Sequence, residues 1–191
     1  MPRILPTIPA IILLLAVLST SIACSSALDP QTIRDPALLQ IREAFVRTVD
    51  EAFADPKVKW VHGHDGNALV ARSKGKVKGY CWQWQERVYR AVRPVAESVG
   101  WRVYRININR DVFSEHHSVV VFPRSIAPRQ ILTEVPRQAY VLDPWQHGAA
   151  EIFTLEAWLD VPWIVFEAAA LEDEKGLDHR AGDDPEPPPS S

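Results

Sequence analysis

The chain has 191 residues, 47% of them apolar and 24% charged, with a formal net charge of -3. That length suits one domain with short extensions, and the apolar fraction together with seven Trp excludes wholesale disorder. Lys and Arg total 21 against 24 Asp and Glu, which leaves no basic footprint for nucleic acid, while 8 Gly beside 16 Pro excludes collagen-like sequence and most glycine-rich phosphate loops. Two Cys cannot build a disulfide framework. The charge is uneven. Residues 171–191 hold seven acidic side chains and two basic ones, so the stretch 24–170 is close to neutral.

Residues 1–23 read as an export signal. Arg3 supplies a minimal positive start, Ile11 to Leu18 is an unbroken apolar run, and small residues follow up to Ser21-Ile22-Ala23-Cys24. The run is shorter than the roughly 20 apolar residues that a bilayer span needs. The stretch ending in Cys24 resembles the lipobox of bacterial lipoproteins, with Ser21 where such boxes usually carry Leu. That resemblance implies a lipid on Cys24 and a membrane anchor. Ser21-Ile22-Ala23 and Ser25-Ser26-Ala27 also fit an ordinary small-x-small cleavage site, which predicts a freely secreted protein. Both readings put the mature protein in the cell envelope or outside the cell, with Cys81 as its free thiol.

Residues 24–34 read as a linker. Asp35-Pro36 then opens a helix, with Asp as cap and Pro at the first helical position. Leu38, Ile41, Phe45, Val49, Ala52 and Phe53 share one face, and Asp55-Pro56 ends the helix. His62-Gly63-His64-Asp65-Gly66-Asn67 reads as a turn. Lys74, Lys76 and Lys78 alternate with small residues just before Cys81, the pattern of a solvated loop. Cys81 to Val99 reads as a helix that Pro94 should kink or split, capped by Gly100. Three strands follow: Trp101 to Ile108, Ser118 to Phe122 and Ala139 to Leu142. Phe153 to Leu159 reads as a short helix and Trp163 to Phe166 as a last strand. Helices first and strands after predict an α+β domain over 35–170, with N-terminal helices packed on an antiparallel sheet. Residues 171–191, acidic and rich in Pro, read as a disordered tail.

Cys81 opens its helix directly after Gly79-Tyr80. A helix N-terminus carries free N–H groups and partial positive charge, and both favour a thiolate, as do nearby lysines. A thiolate nucleophile needs an imidazole partner and a group to orient it. His116-His117 begins the second strand and Asp143 ends the third. Alternation puts the two histidines on opposite faces and leaves either one able to face the helix. A zinc site from His62, His64, Asp65, His116 and His117 matches no ligand spacing, and no Gly-x-Ser-x-Gly supports a serine nucleophile.

Gly79-Tyr80-Cys81-Trp82 resembles the Gly-x-Cys-Trp of transglutaminase-like domains. His117-Ser118-Val119 resembles the His-Ala-Val of papain-like peptidases. Tyr140-Val141-Leu142-Asp143-Pro144 is similar to the Asp-Pro stretch of papain-fold glutamine deamidases. The resemblance covers residues 75–160. It implies a papain/transglutaminase-like fold and a catalytic triad of Cys81, His117 and Asp143 acting on amide bonds of a protein or peptide substrate through a thioester, with no cofactor or metal. The Gln that papain-like peptidases carry shortly before the Cys is missing, and Trp60 is the candidate in its place. The competing expectation is a non-catalytic envelope protein of the same fold that serves as a binding module.

Overall fold

The Asp35 carboxylate accepts hydrogen bonds from the backbone N–H groups of Ala37 and Leu38, at 2.8 and 3.0 Å, and Pro36 supplies a first helical residue that needs no donor. These two residues start α1, Pro36–Phe53, whose buried face carries Leu38, Ile41, Phe45, Val49 and Ala52 as the spacing predicts. In this computed structural model the described residues are 27–109, 114–160 and 170–172. The export signal with Cys24, the expected strand Trp163–Phe166 and the tail beyond Glu172 lie outside them. Among the described residues no helix is long and apolar enough to cross a membrane.

After α1 comes a small layer that sequence patterning did not resolve. Strands β1 (Lys59–Trp60) and β2 (Val77–Lys78) pair in parallel, and α2 (Gly63–Arg72) connects them. The stretch 62–67 is therefore not a free turn. Its Gly and Asp fit a helix start equally well, because Gly63 takes φ +66° and Asp65 lies where a negative charge suits the helix dipole.

Helix α3, Cys81–Ser98, runs through Pro94 without a break. Pro94 and Arg90 are both exposed, so water can serve the carbonyl that loses its donor. The sheet follows as β3 (Trp101–Ile108), β4 (His116–Pro123), β5 (Tyr140–Asp143), β6 (Glu151–Thr154) and β7 (Ala170–Glu172). Its order is β6-β5-β4-β3-β7, antiparallel throughout. The α+β class with an antiparallel sheet thus stands. Helices α4 (Pro128–Glu134) and α5 (Leu155–Leu159) cover the second face.

Three boundaries differ from expectation. The short helix begins at Leu155 because Thr154 caps it, accepting from Ala157 N at 3.1 Å, and the residues before it pair with β5. Residues 170–172 form the edge strand beside β3 rather than the start of a free tail. The linker 24–34 is partly built in: Leu28 N donates to Ile152 O at 2.6 Å, and Ile33 is buried.

Two apolar cores flank the sheet. Val103, Val119, Val121 and Leu142 meet α1 and α3 on one face, and Ile106, Ile108, Val120, Phe122 and Val141 meet α4 and α5 on the other. Helix and strand lengths then determine what lies level with Cys81. An 18-residue helix rises about 27 Å and an eight-residue strand about 26 Å. Gly100, in a left-handed conformation, turns the chain back, so the far end of β3 reaches the start of α3. Gln85, one turn inside α3, confirms the level by donating to Asn107 Oδ1 at 2.9 Å and Ser118 O at 2.7 Å.

Gly79 seats the start of α3. It has φ +150°, and a Cβ there would sit 2.2 Å from Val61 O. Trp84 Nε1 donates to the same Val61 oxygen at 2.8 Å, which draws the helix onto the chain just after β1. We expect Gly79→Ala to cost about 2 kcal/mol or more, by strain and clash together. Urea unfolding checks this: a lower midpoint at unchanged slope is expected, and a loss under about 0.5 kcal/mol would contradict the packing argument.

Candidate active site at the end of the sheet

Cys81 is the first residue of α3 and a free, half-buried thiol. Gln83 shapes the approach to it, its Oε1 accepting from Gly79 N at 2.7 Å and Tyr80 N at 3.2 Å. Those two backbone donors are satisfied locally. The N–H of Cys81 belongs to the first helical turn, where no intrahelical acceptor exists.

Strand register selects the histidine. Val120 stands opposite Val141 and Val119 opposite Leu142, so continuing by one residue puts Asp143 beside Ser118. Opposed residues share a face, and His116 is two residues along from Ser118 on that same face. His116 Nε2 therefore meets Asp143 Oδ2, at 2.6 Å. His117 cannot do so, because it points to the other side with Val119 and Val121. There it is buried, stands opposite Asn107 and pairs with Glu115 at 2.9 Å. The expectation of His117 as the partner of Asp143 is corrected to His116. The likeness of His117-Ser118-Val119 to a known tripeptide picked the wrong parity.

The Asp143 carboxylate is fully engaged. Besides His116 it accepts from Trp158 Nε1 at 3.0 Å on Oδ2 and from Trp145 N at 3.1 Å on Oδ1. Trp145 and Trp158 flank the His116 ring, with centroids 4.9 and 5.8 Å away. Trp145 Nε1 donates to Asn67 Oδ1 at 3.3 Å, which ties α2 to the site. His64 packs edge-on against Trp145 at 5.0 Å. Trp158 and Gln83 are the parts that sequence reasoning passed over. A Trp in a short helix and a Gln two residues beyond Cys81 carry no local mark of such roles. Trp60, the candidate oxyanion donor, packs in the core against Trp84 at 4.6 Å.

Burial opposes charge on His116, but the Asp143 carboxylate, its hydrogen bond and the Cys81 sulfur outweigh burial and push the imidazole up to about 10. Burial likewise opposes charge on Asp143. Attraction to His116 and the hydrogen bonds from His116, Trp158 and Trp145 prevail and hold the carboxyl below its ordinary range. The two form a buried imidazolium–carboxylate pair at neutral pH. The Cys81 thiol lies near enough to favour the charged ring as well. Nε2 is committed to Asp143, and Nδ1 is the ring's other nitrogen, buried on its far side. Among the described residues no group of three or more His, Cys, Asp or Glu gathers at metal-ligand distances. Comparison with known proteins found no matching family model, no matching curated protein and no matching solved structure.

The pair should also stabilise the fold, with a defined pH window. The His116 pKa is raised from 6.5 to about 10, so its contribution is complete below 6.5 and lost as pH rises toward 10. The Asp143 contribution is present above the ordinary carboxylate range and lost as pH falls through its lowered value. We expect His116→Ala to cost about 3 kcal/mol near pH 6, since it strands a buried carboxylate. Urea unfolding from about pH 6 to 10 should show the gap between the two proteins shrinking as pH rises. A gap that widens toward pH 10 would contradict the assignment.

Proposed function

We propose that this protein is an exported thiol enzyme with a papain/transglutaminase-like domain, acting on amide bonds through a Cys81 thioester. The observation that carries the reading is the His116 imidazole held between the Asp143 carboxylate and the sulfur at the start of α3. In this reading Cys81, His116 and Asp143 are the catalytic residues. Peptide hydrolysis, glutamine deamidation and acyl transfer to an amine share the same first step.

That step follows from the geometry. The imidazolium and the helix N-terminus both favour a thiolate, which attacks the substrate carbonyl carbon. The carbonyl oxygen gains negative charge and takes a hydrogen bond from the Cys81 backbone N–H. The intermediate collapses, the C–N bond breaks, and the amine leaves with the proton from His116 Nδ1. A thioester remains on Cys81. His116, now neutral, removes a proton from water or from an amine, which attacks the thioester and regenerates the thiolate. Asp143 stays ionised throughout and fixes the ring by its bond to Nε2. The Trp158 indole N–H and the Trp145 backbone N–H keep that carboxylate from turning away.

Export belongs to the same proposal. Residues 1–23 serve as the signal, and Cys24 carries a lipid that holds the enzyme at an envelope membrane.

Acylation by a p-nitrophenyl ester tests the reading. Mass spectrometry should find one acyl group on Cys81 and none in Cys81→Ala. Turnover should fall about 100-fold or more in His116→Ala and Asp143→Asn, and stay within a few-fold in His117→Ala. The profile of kcat/KM should decline as pH rises through about 10, where His116 of the free enzyme loses its proton. No adduct on Cys81, or equal loss in His116→Ala and His117→Ala, overturns it.

A further inference from the structure

The loop that leads into Cys81 is a ridge of unpaired positive charge. Between residues 57 and 80 the cations are Lys57, Lys59, Arg72, Lys74, Lys76 and Lys78, and the only acid is Asp65. All six are exposed. No carboxylate among the described residues forms an ion pair with any of them, although surface cations elsewhere do pair, as Arg47 with Glu43 and Arg93 with Glu97. The fold gathers them. Lys59 on β1 stands opposite Val77, which puts it beside the segment that carries Lys76 and Lys78. Arg72 ends α2, and Lys74 lies in the turn that joins α2 to β2, at φ +50°.

The ridge runs along the chain into the helix that the nucleophile opens. Lys78 precedes Cys81 by three residues, which bounds their Cα separation at about 11 Å. That exceeds the Debye length of about 8 Å at physiological salt, so Lys78 is largely screened from the sulfur and acts on a ligand that touches both. The cations further back are screened from the sulfur but not from a ligand lying along the segment. Within the site the Asp143 carboxylate is already paired with His116. A small acid would meet one or two of these cations. An extended chain bearing several carboxylates meets most of them.

We propose that the ridge is a recognition subsite for an acidic peptide segment, which it delivers to Cys81. This rests on the amide-directed reading above and names its substrate class: a polypeptide with Asp or Glu clustered beside the reacting amide. The ridge draws the chain in by charge and holds it in register along β2, while the nucleophile acts on a neighbouring carbonyl.

Two measurements on the full chain separate this from the catalytic reading. The first is binding of a fluorescent peptide rich in Asp and Glu to Cys81→Ala, against a neutral peptide of equal length. The acidic peptide should bind more tightly, and Lys74→Gln/Lys76→Gln/Lys78→Gln made in that background should weaken it on the order of 10-fold at low salt, with the difference closing at high salt. These side chains are exposed and unpaired, so the fold should tolerate the change. The second is modification of Cys81 in the wild-type background by anionic and cationic methanethiosulfonates. The triple variant should lower the ratio of anionic to cationic rates. Equal acidic-peptide binding with and without the three lysines overturns the proposal, as does an unchanged reagent ratio. A ridge that the triple variant shows to matter for anionic phospholipid vesicles but not for the peptide overturns it in favour of membrane contact. Ridge-dependent peptide binding in a protein that forms no Cys81 adduct removes the thioester reading and leaves the subsite.

Discussion

The bond between His116 Nε2 and Asp143 Oδ2 joins two charged groups that the fold has taken out of water. Each alone would be costly to bury, and the partner offsets that cost only where further donors complete the shell. Trp145 N and Trp158 Nε1 complete it, and both come from the chain beyond β5. The turn after Asp143 and the seating of α5 are therefore bound to the same carboxylate. Breaking the pair disturbs the site and that whole end of the sheet together.

What brings the sulfur level with this pair is length. Helix α3 and strand β3 run antiparallel over nearly equal distances, so Cys81 and the first residue of β4 arrive at the same level. Gln85 ties the helix to both central strands one turn in. Arg105 adds a second tie, pairing with Glu86 at 2.8 Å and stacking on Tyr89 at 3.6 Å. The helix start can then be held on the small β1–β2 layer through Gly79 and Trp84 without strain reaching the sheet.

Periodicity made the long elements legible. The face of α1, the extent of α3 and the alternation in β3 all follow from residue spacing, and Cys81 at a helix start and Asp143 at a strand end were readable as a pair. The choice between His116 and His117 was not. Alternation told that they face opposite ways, but only the pairing of Val120 with Val141 says which of them shares a face with Asp143. Register is a contact between distant segments and leaves no mark within either one. The stretch 62–67 failed for a different reason: Gly, Asp and Asn serve turns and helix starts alike, and the helix is decided by its docking on Val61. Strand β6 was hidden because it runs straight into α5 with no turn between them, so Phe153 read as part of the helix.

A charged His116 is the central claim, and its own titration tests it most directly. Imidazole nitrogen shifts in labelled protein, assigned by comparison with His116→Gln, should show a ring protonated on both nitrogens through neutral pH and releasing its proton near 10. A His116 ring that titrates near 6.5, as an isolated imidazole does, would mean that the Asp143 carboxylate and the Cys81 sulfur do not govern it, and the account of the site would fail.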